Sequence, residues 1–199
     1  MTNANERNHR LSPDLPSVMN QPEAPLRLFV ALWPDEAVRA DCARAGKALR
    51  VLCGGRPMQA AGLHVTLAFL GEVAASRLPE LHTVLDAMPP VRGMLFLDRY
   101  GYWAPGIVWL GPTDVDAALM DWVKSLRTSL RRSGFTLDGK TFKPHLTLLR
   151  HASKPAVWPR AQPVIWAFAG ASLVVSQAAA GGAGYRICQR FALPAVASS

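Results

Sequence analysis

The sequence predicts an α+β domain built on a largely antiparallel sheet. Three observations lead there. Short apolar runs of strand length are interspersed with longer segments whose apolar residues recur every three or four positions. Their order is not a strict βαβα alternation, which argues against a parallel sheet. Fifteen Gly and sixteen Pro punctuate the 199 residues, too many for a plain helical bundle.

Residues 1–25 read as a disordered tail, polar and carrying Pro13, Pro16, Pro22 and Pro25 without apolar periodicity. The domain is expected over residues 26–194. Leu28 to Trp33 is an apolar run of strand length, ended by Pro34. The spacing then predicts a helix from Asp35 to Leu52, with Val38, Cys42, Ala45, Leu49 and Leu52 on one stripe and Gly54-Gly55 as its stop. Cys42 lies on that stripe, so it is expected in the core rather than at a reactive site. Val65 to Leu70 is the next strand. Ser76 to Met88 is helical, ended by Pro89-Pro90. Met94 to Trp103 and Ile107 to Leu110 form a strand pair joined by Ala104-Pro105-Gly106. Thr113-x-x-Asp116 resembles a capping box before a helix carrying Val115, Leu119, Trp122, Leu126 and Leu130, with Gly134 as its stop. Leu146 to Leu149, Ile165 to Phe168, Leu173 to Ser176 and Tyr185 to Phe191 complete the strands.

Composition removes several functional classes. No apolar run approaches the roughly 18 residues of a membrane span, and the first 25 residues lack the apolar core of a secretory signal. Three cysteines without C-x-x-C spacing make neither a disulfide framework nor a cysteine zinc site. A reduced, cytoplasmic protein without a membrane partner is expected. The formal charge is +8, and the tail carries a net −1 of it, so the domain holds all the excess positive charge. That favours an anionic partner, nucleic acid being the commonest.

One short motif occurs twice. His64-Val65-Thr66-Leu67 and His145-Leu146-Thr147-Leu148 both read His-aliphatic-Thr-Leu, 81 residues apart. Each is expected within a strand, where residues i and i+2 share a face, so each element offers an imidazole and a hydroxyl side by side. With five His and eight Thr in the chain, two such coincidences have odds of roughly 2%. An internal repeat with one motif per half accounts for them. Two imidazoles facing one cleft suit paired acid and base catalysis, because an unperturbed imidazole titrates near pH 6.5. The Thr hydroxyls can hold an anionic group, and a nearby Arg or Lys can stabilise developing charge. This layout suits phosphoryl chemistry without a metal. Two His without a third ligand at metal spacing make a poor zinc site. His9 falls in the tail, His82 on a helix surface, and His151 after Arg150 at an expected cleft edge.

These motifs resemble those of the two-histidine phosphoesterases. Arg27-Leu28-Phe29-Val30-Ala31-Leu32-Trp33-Pro34 is similar to the family's opening strand. His64 to Gly71 is similar to its first signature, and Phe142-Lys143-Pro144-His145-Leu146-Thr147-Leu148-Leu149-Arg150 to its second. Leu173 to Ser176, a Gly-rich turn and Tyr185-Arg186 resemble its closing hairpin. The resemblance spans residues 26–193 and is strongest to the bacterial RNA 2′,3′-cyclic phosphodiesterase branch, long called 2′-5′ RNA ligase. It implies two pseudo-symmetric lobes with antiparallel sheets flanking a central cleft and helices outside. It implies hydrolysis of a terminal 2′,3′-cyclic phosphate to a 2′-phosphate with no cofactor, and in some members reversible 2′-5′ joining of RNA ends. The expected partners are RNA ends or nucleotide 2′,3′-cyclic phosphates, and the chain is expected to be a monomer.

The roles expected from chemistry and resemblance are His145 as general base on water and His64 as the acid that protonates O3′. Thr66 and Thr147 hold phosphate oxygens. Arg150 lies five residues after His145, so in a plain strand it faces away, and only a bend turns it inward. Lys143 shares the His145 face in an unbroken strand, which Pro144 interrupts. Phe29 and Phe69 are candidates for stacking on a base, against the general preference of strand aromatics for the core. Trp103 and Trp109 flank the predicted turn and are expected to be partly exposed. Two alternatives stand beside this reading. One is a phosphodiesterase on another nucleotide cyclic phosphate or on a 2′-5′-linked oligonucleotide. The other is an RNA-binding module without turnover.

Overall fold

The structure is a computed structural model that describes residues 24–179 and 182–191. Most of the expected N-terminal tail and the last residues of the expected domain lie outside the described residues. Among the described residues, nine strands and three α-helices follow in the order β1 Leu26–Leu32, α1 Glu36–Cys53, β2 Arg56–Pro57, β3 Val65–Val73, α2 Leu78–Asp86, β4 Arg92–Trp103, β5 Ile107–Pro112, α3 Ala117–Arg132, β6 Leu146–Arg150, β7 Val164–Ala169, β8 Ala171–Ala179 and β9 Gly182–Phe191. All strand pairs are antiparallel, as the mixed element order predicts.

The strands form one sheet in the order β7-β4-β5-β6-β3-β1-β8-β9, with the two-residue β2 paired to β6. The expected two lobes are therefore the two halves of a single sheet. Their seam is narrow: β3 and β6 share only the pair Val65↔Leu146. The three helices lie on one face. Their buried residues, among them Cys42, Leu49, Leu81, Leu85, Leu119 and Leu126, join Leu28, Val30, Leu67, Leu97, Leu110 and Leu149 in one core cluster. The other face of the sheet carries the site residues described below.

The helices differ from their sequence reading in an instructive way. In α1 the buried residues are Val38, Cys42, Gly46, Leu49 and Cys53, while Leu52 is 56% exposed. The stripe read from the sequence had a 3.5-residue period, and an α-helix turns every 3.6. The inward direction therefore drifts by about 20° per heptad and passes from Leu52 to Cys53 at the far end. Gly54 follows with φ 62° and closes the helix through its N–H to the Arg50 carbonyl. In α3 the cap is Asp116, whose side chain accepts the Ala118 N–H at 2.9 Å. Thr113 stands further out, held by the Asp98 carboxylate, and Val115 precedes the helix rather than lining it. The strand β2 was not anticipated, because two residues carry no periodicity.

Gly55 is placed under a tight constraint. Its φ is +75°, and a Cβ there would lie 2.6 Å from the Arg150 carbonyl and 2.8 Å from Ala152. Gly55→Ala is expected to destabilise the fold by about 1–3 kcal/mol through backbone strain and this backbone clash. Thermal denaturation checks it: the variant should melt several degrees lower, and an unchanged melting temperature would refute the constraint.

Candidate active site

The strands begin at Val65 and Leu146, as the sequence reading has them, so His64 and His145 each stand one residue before a strand and the motifs straddle the strand starts rather than lying wholly within them. The difference is one residue and has a geometric effect. The pair Val65↔Leu146 lies immediately after both histidines. Carrying that antiparallel register one residue each way sets His64 opposite Thr147, and Thr66 opposite His145. Directly opposed residues project to the same face of a sheet. The four residues of the two motifs thus form a square around the seam.

Each imidazole is oriented in the same manner. His64 Nδ1 lies 2.7 Å from the Gly62 carbonyl and His145 Nδ1 lies 2.8 Å from the Lys143 carbonyl, in both cases two residues upstream. A carbonyl only accepts, so each Nδ1 must donate its N–H. The Nε2 lone pair of each neutral ring is left for chemistry. Lys143 therefore contributes its backbone to His145. Its side chain is exposed.

The strand phase explains Arg150. β5 pairs Val108 with Leu149 and Trp109 with Thr147, which leaves Leu148 as an extra residue in β6. β1 pairs Val30 with Ala68 and Ala31 with Thr66, which leaves Leu67 as the extra residue in β3. A bulge shifts side-chain alternation by one. The two strands show the same burial sequence, buried-intermediate-buried-buried-intermediate, over Val65 to Phe69 and Leu146 to Arg150. The bend that Arg150 needs is thus a bulge at Leu148, which returns it to the face of His145 and Thr147. Its positive charge acts on both imidazoles. Phe69 is its counterpart in the other half, with the Arg27 guanidinium 4.8 Å above the ring.

Aromatic rings enclose His64. Trp33 stacks on it at 5.3 Å with an interplanar angle of 1°, Phe29 lies at 4.9 Å and Tyr185 meets it edge-on at 5.0 Å. Phe29, expected to contact substrate, is only 2% exposed. It packs with Ala31 and Val174 in a small second core, so it supports the His64 ring and has no free face for a base. Trp33 and Tyr185 were not singled out for this role. The signal available was the opening strand, apolar at successive positions, which is the pattern of a strand covered on both faces. His145 is more open. Trp103 meets it edge-on at 4.3 Å and Trp109 lies 5.2 Å beyond Trp103; both Trp are partly exposed, as expected. Of the remaining histidines in the described residues, His151 is exposed and His82 bonds the Gln189 side chain.

Burial sets the charge state. Desolvation lowers the His64 pKa to about 4 against the help of the Gly62 carbonyl, and the charges of His145 and Arg150 lower it further. Burial also lowers His145, joined by the positive charges of Arg150 and Lys140. Both rings are therefore neutral at neutral pH in the free site. Cys42 is fully buried and its thiol is pushed up to about 12, in keeping with a core role. Among the described residues no three His, Cys, Asp or Glu side chains gather as metal ligands, and no helix is long and apolar enough to cross a membrane.

The sequence profile of the 2′-5′ RNA ligase superfamily matches residues 34–178. The chain belongs to that superfamily. This member is 31% identical over 185 residues to an RNA 2′,3′-cyclic phosphodiesterase of Thermus thermophilus, a match covering 84% of this chain and 90% of that protein. It is 39% identical over 106 residues to the Escherichia coli protein of the same name, covering 53% of this chain and 60% of that one. The crystal structure of E. coli LigT complexed with 3′-AMP matches with a TM-score of 0.77 at 33% identity, over 85% of this chain and 98% of that chain. The resemblance first read from the duplicated motif is borne out, as is the α+β antiparallel class.

Two outcomes test the charge state of this superfamily member. Nitrogen-detected NMR of the imidazoles should find both protonated at Nδ1 above pH 7, and His64 unprotonated at Nε2 until the pH nears about 4. Titration of His64 at 6.5 or above would refute its desolvation. The folded pKa lies below the unfolded value of about 6.5, so folding favours the neutral ring. The His64 contribution to stability is therefore complete above pH 6.5 and lost as the pH falls through about 4.

Proposed function

We propose that the chain hydrolyses the terminal 2′,3′-cyclic phosphate of RNA to a 2′-phosphomonoester, using His64 and His145 as its acid–base pair and no metal. The observation that carries the reading is the square of two imidazoles and two threonines about Val65↔Leu146, with Arg150 acting on both rings. The names of the relatives support the substrate class.

In this reading His145 Nε2 takes a proton from water as the water oxygen bonds to phosphorus. The P–O3′ bond breaks on the opposite side, and His64 gives its Nε2 proton to O3′. His145 leaves the step protonated and His64 neutral, and exchange with solvent restores the starting state. The assignment is supported by access. His145 stands on the more open side, where water reaches it, whereas His64 sits among three rings. A desolvated imidazolium is a strong acid, suited to a poor leaving group. Thr66 and Thr147 donate to the non-bridging phosphate oxygens. Arg150 offsets the charge that develops on them, and a guanidinium keeps its proton throughout.

The chemistry needs one proton shared between two rings, and burial holds that proton weakly. Raising the pH removes it from the free site, so kcat/KM should peak below pH 6.5 and fall towards pH 8. The phosphate's negative charge favours the cation, so kcat should peak at a higher pH than kcat/KM. These limbs belong to the pair, not to single residues. A kcat/KM that rises steadily through pH 8 would contradict a shared proton.

His64→Ala and His145→Ala should each lower the rate roughly 10²–10⁴-fold. An RNA ending in a 2′,3′-cyclic phosphate, incubated in excess EDTA, checks the whole reading. The native chain should yield a 2′-phosphate and the variants should not. A 3′-phosphate product, or loss of activity in EDTA, would overturn it. RNA binding without turnover would leave a binding module.

A further inference from the structure

The sheet face that bears the site continues beyond it, across three further strands. β5 and β4 pair Trp109 with Gly101 and Gly111 with Arg99. Between Leu97 and Arg99 the register shifts, so Asp98 is an extra residue. That bulge brings Arg99, Gly101 and Trp103 onto the face of Met94 and Phe96. β4 and β7 then pair Phe96 with Ile165. Leu95 and Leu97 point the other way, into the core. A single face therefore runs from Thr147 through Trp109 and Arg99 to Phe96 and Ile165. Its width from β6 to β7 is three strand spacings, roughly 14 Å.

The composition of this face is not that of a sealed surface. Phe96 is 51% exposed, Ile165 59% and Met94 47%. Trp109 lies flat across the sheet because Gly101 has no side chain: a Cβ there would stand 2.0 Å from the indole. The Arg99 guanidinium lies 5.5 Å from the Trp109 ring. A cavity of about 540 Å³ opens at the Trp103 and Trp109 end of this face, with Arg99, Lys143 and Lys154 among its walls; Phe96 and Ile165 lie beyond it, on the open sheet. The Trp109 Nε1–H is buried and lacks a hydrogen-bond partner among the described residues. The path is continuous with the site, since Trp103 contacts both Trp109 and His145.

We propose that this face is a track for single-stranded RNA leading away from His145. Exposed aromatics on an open antiparallel sheet stack unpaired bases, and cations between them track the phosphates. The basic side chains and the unpaired indole donor favour an acceptor-rich polyanion over an apolar partner. A sheet face with Arg99 at its centre is a poor interface with a second copy of the same cationic chain. The inference rests on the phosphodiesterase reading and extends it from a phosphate to a strand. That strand is either the one ending in the cyclic phosphate or one presenting a 5′-hydroxyl to it. Both offer the same bases and phosphates.

The test pairs binding with turnover. Cytidine 2′,3′-cyclic phosphate and RNAs of two to six nucleotides with that same end are compared as substrates. 5′-hydroxyl RNAs of two and six nucleotides without a terminal phosphate are the binding probes, read by fluorescence anisotropy. The variants are Phe96→Ser and Arg99→Ala, neither of which touches the histidines. With the native chain, kcat/KM should rise with length, and each variant should weaken the RNA response about tenfold. Mononucleotide turnover should stay within twofold. If the variants weaken the hexamer but hydrolysis ignores length, the track holds the 5′-hydroxyl strand. Length-independent binding and turnover in the native chain would overturn the track. So would a Phe96→Ser change that converts a dimer to a monomer while leaving RNA affinity intact. Length-dependent binding lost in the variants, without turnover of either substrate, would keep the track and refute the phosphodiesterase reading.

Discussion

The site depends on one cross-strand pair. Val65 and Leu146 join the two halves of the sheet, and each is preceded by a histidine and followed by a threonine. An antiparallel register is symmetric about any pair, so one contact brings four side chains to a common face. A slip of one residue in either strand would turn that strand's histidine and threonine to the opposite face, into the helix-packed core. What protects the register is burial. Val65 and Leu146 are both fully buried, and they sit among Leu63, Leu67, Leu148 and Leu149, which are almost fully so.

The bulges at Leu67 and Leu148 form the second layer of this arrangement. Each shifts the alternation after the threonine, so that Phe69 in one half and Arg150 in the other come round to the site face. The backbones are matched and the side chains are not. One half offers a ring held under Arg27; the other offers a guanidinium whose charge reaches both imidazoles. A repeated scaffold thereby supports an asymmetric charge distribution. The asymmetry extends to enclosure: three rings surround His64, while His145 has Trp103 and the adjoining cavity.

Desolvation and catalysis pull in opposite directions here. The aromatic packing that holds His64 also disfavours its charged form, as does Arg150. An empty site is thus a pair of neutral bases beside a fixed cation. In the proposed reaction the anionic substrate supplies the missing negative charge and favours the proton that the pair must share. The affinity for substrate and the protonation of the site are linked through that one charge.

Local chemistry was readable without coordinates. The duplicated His-x-Thr motif, the apolar runs, the helix stops at Gly54 and Gly134 and the core assignment of Cys42 all follow from neighbouring residues and regular periods. The orientation of Arg150 did not, because a bulge at Leu148 depends on how β5 and β6 pair. The cover over Phe29 is not legible in its own strand, because it comes from β8 and β9, more than a hundred residues away. Leu52 was assigned to the core, because a 3.5-residue stripe drifts along a real helix. Which residues possess chemistry is written in their own side chains and spacing. Which of them meet, which way they face and how dry they become are properties of strand register and burial, and those are set by segments distant in the chain.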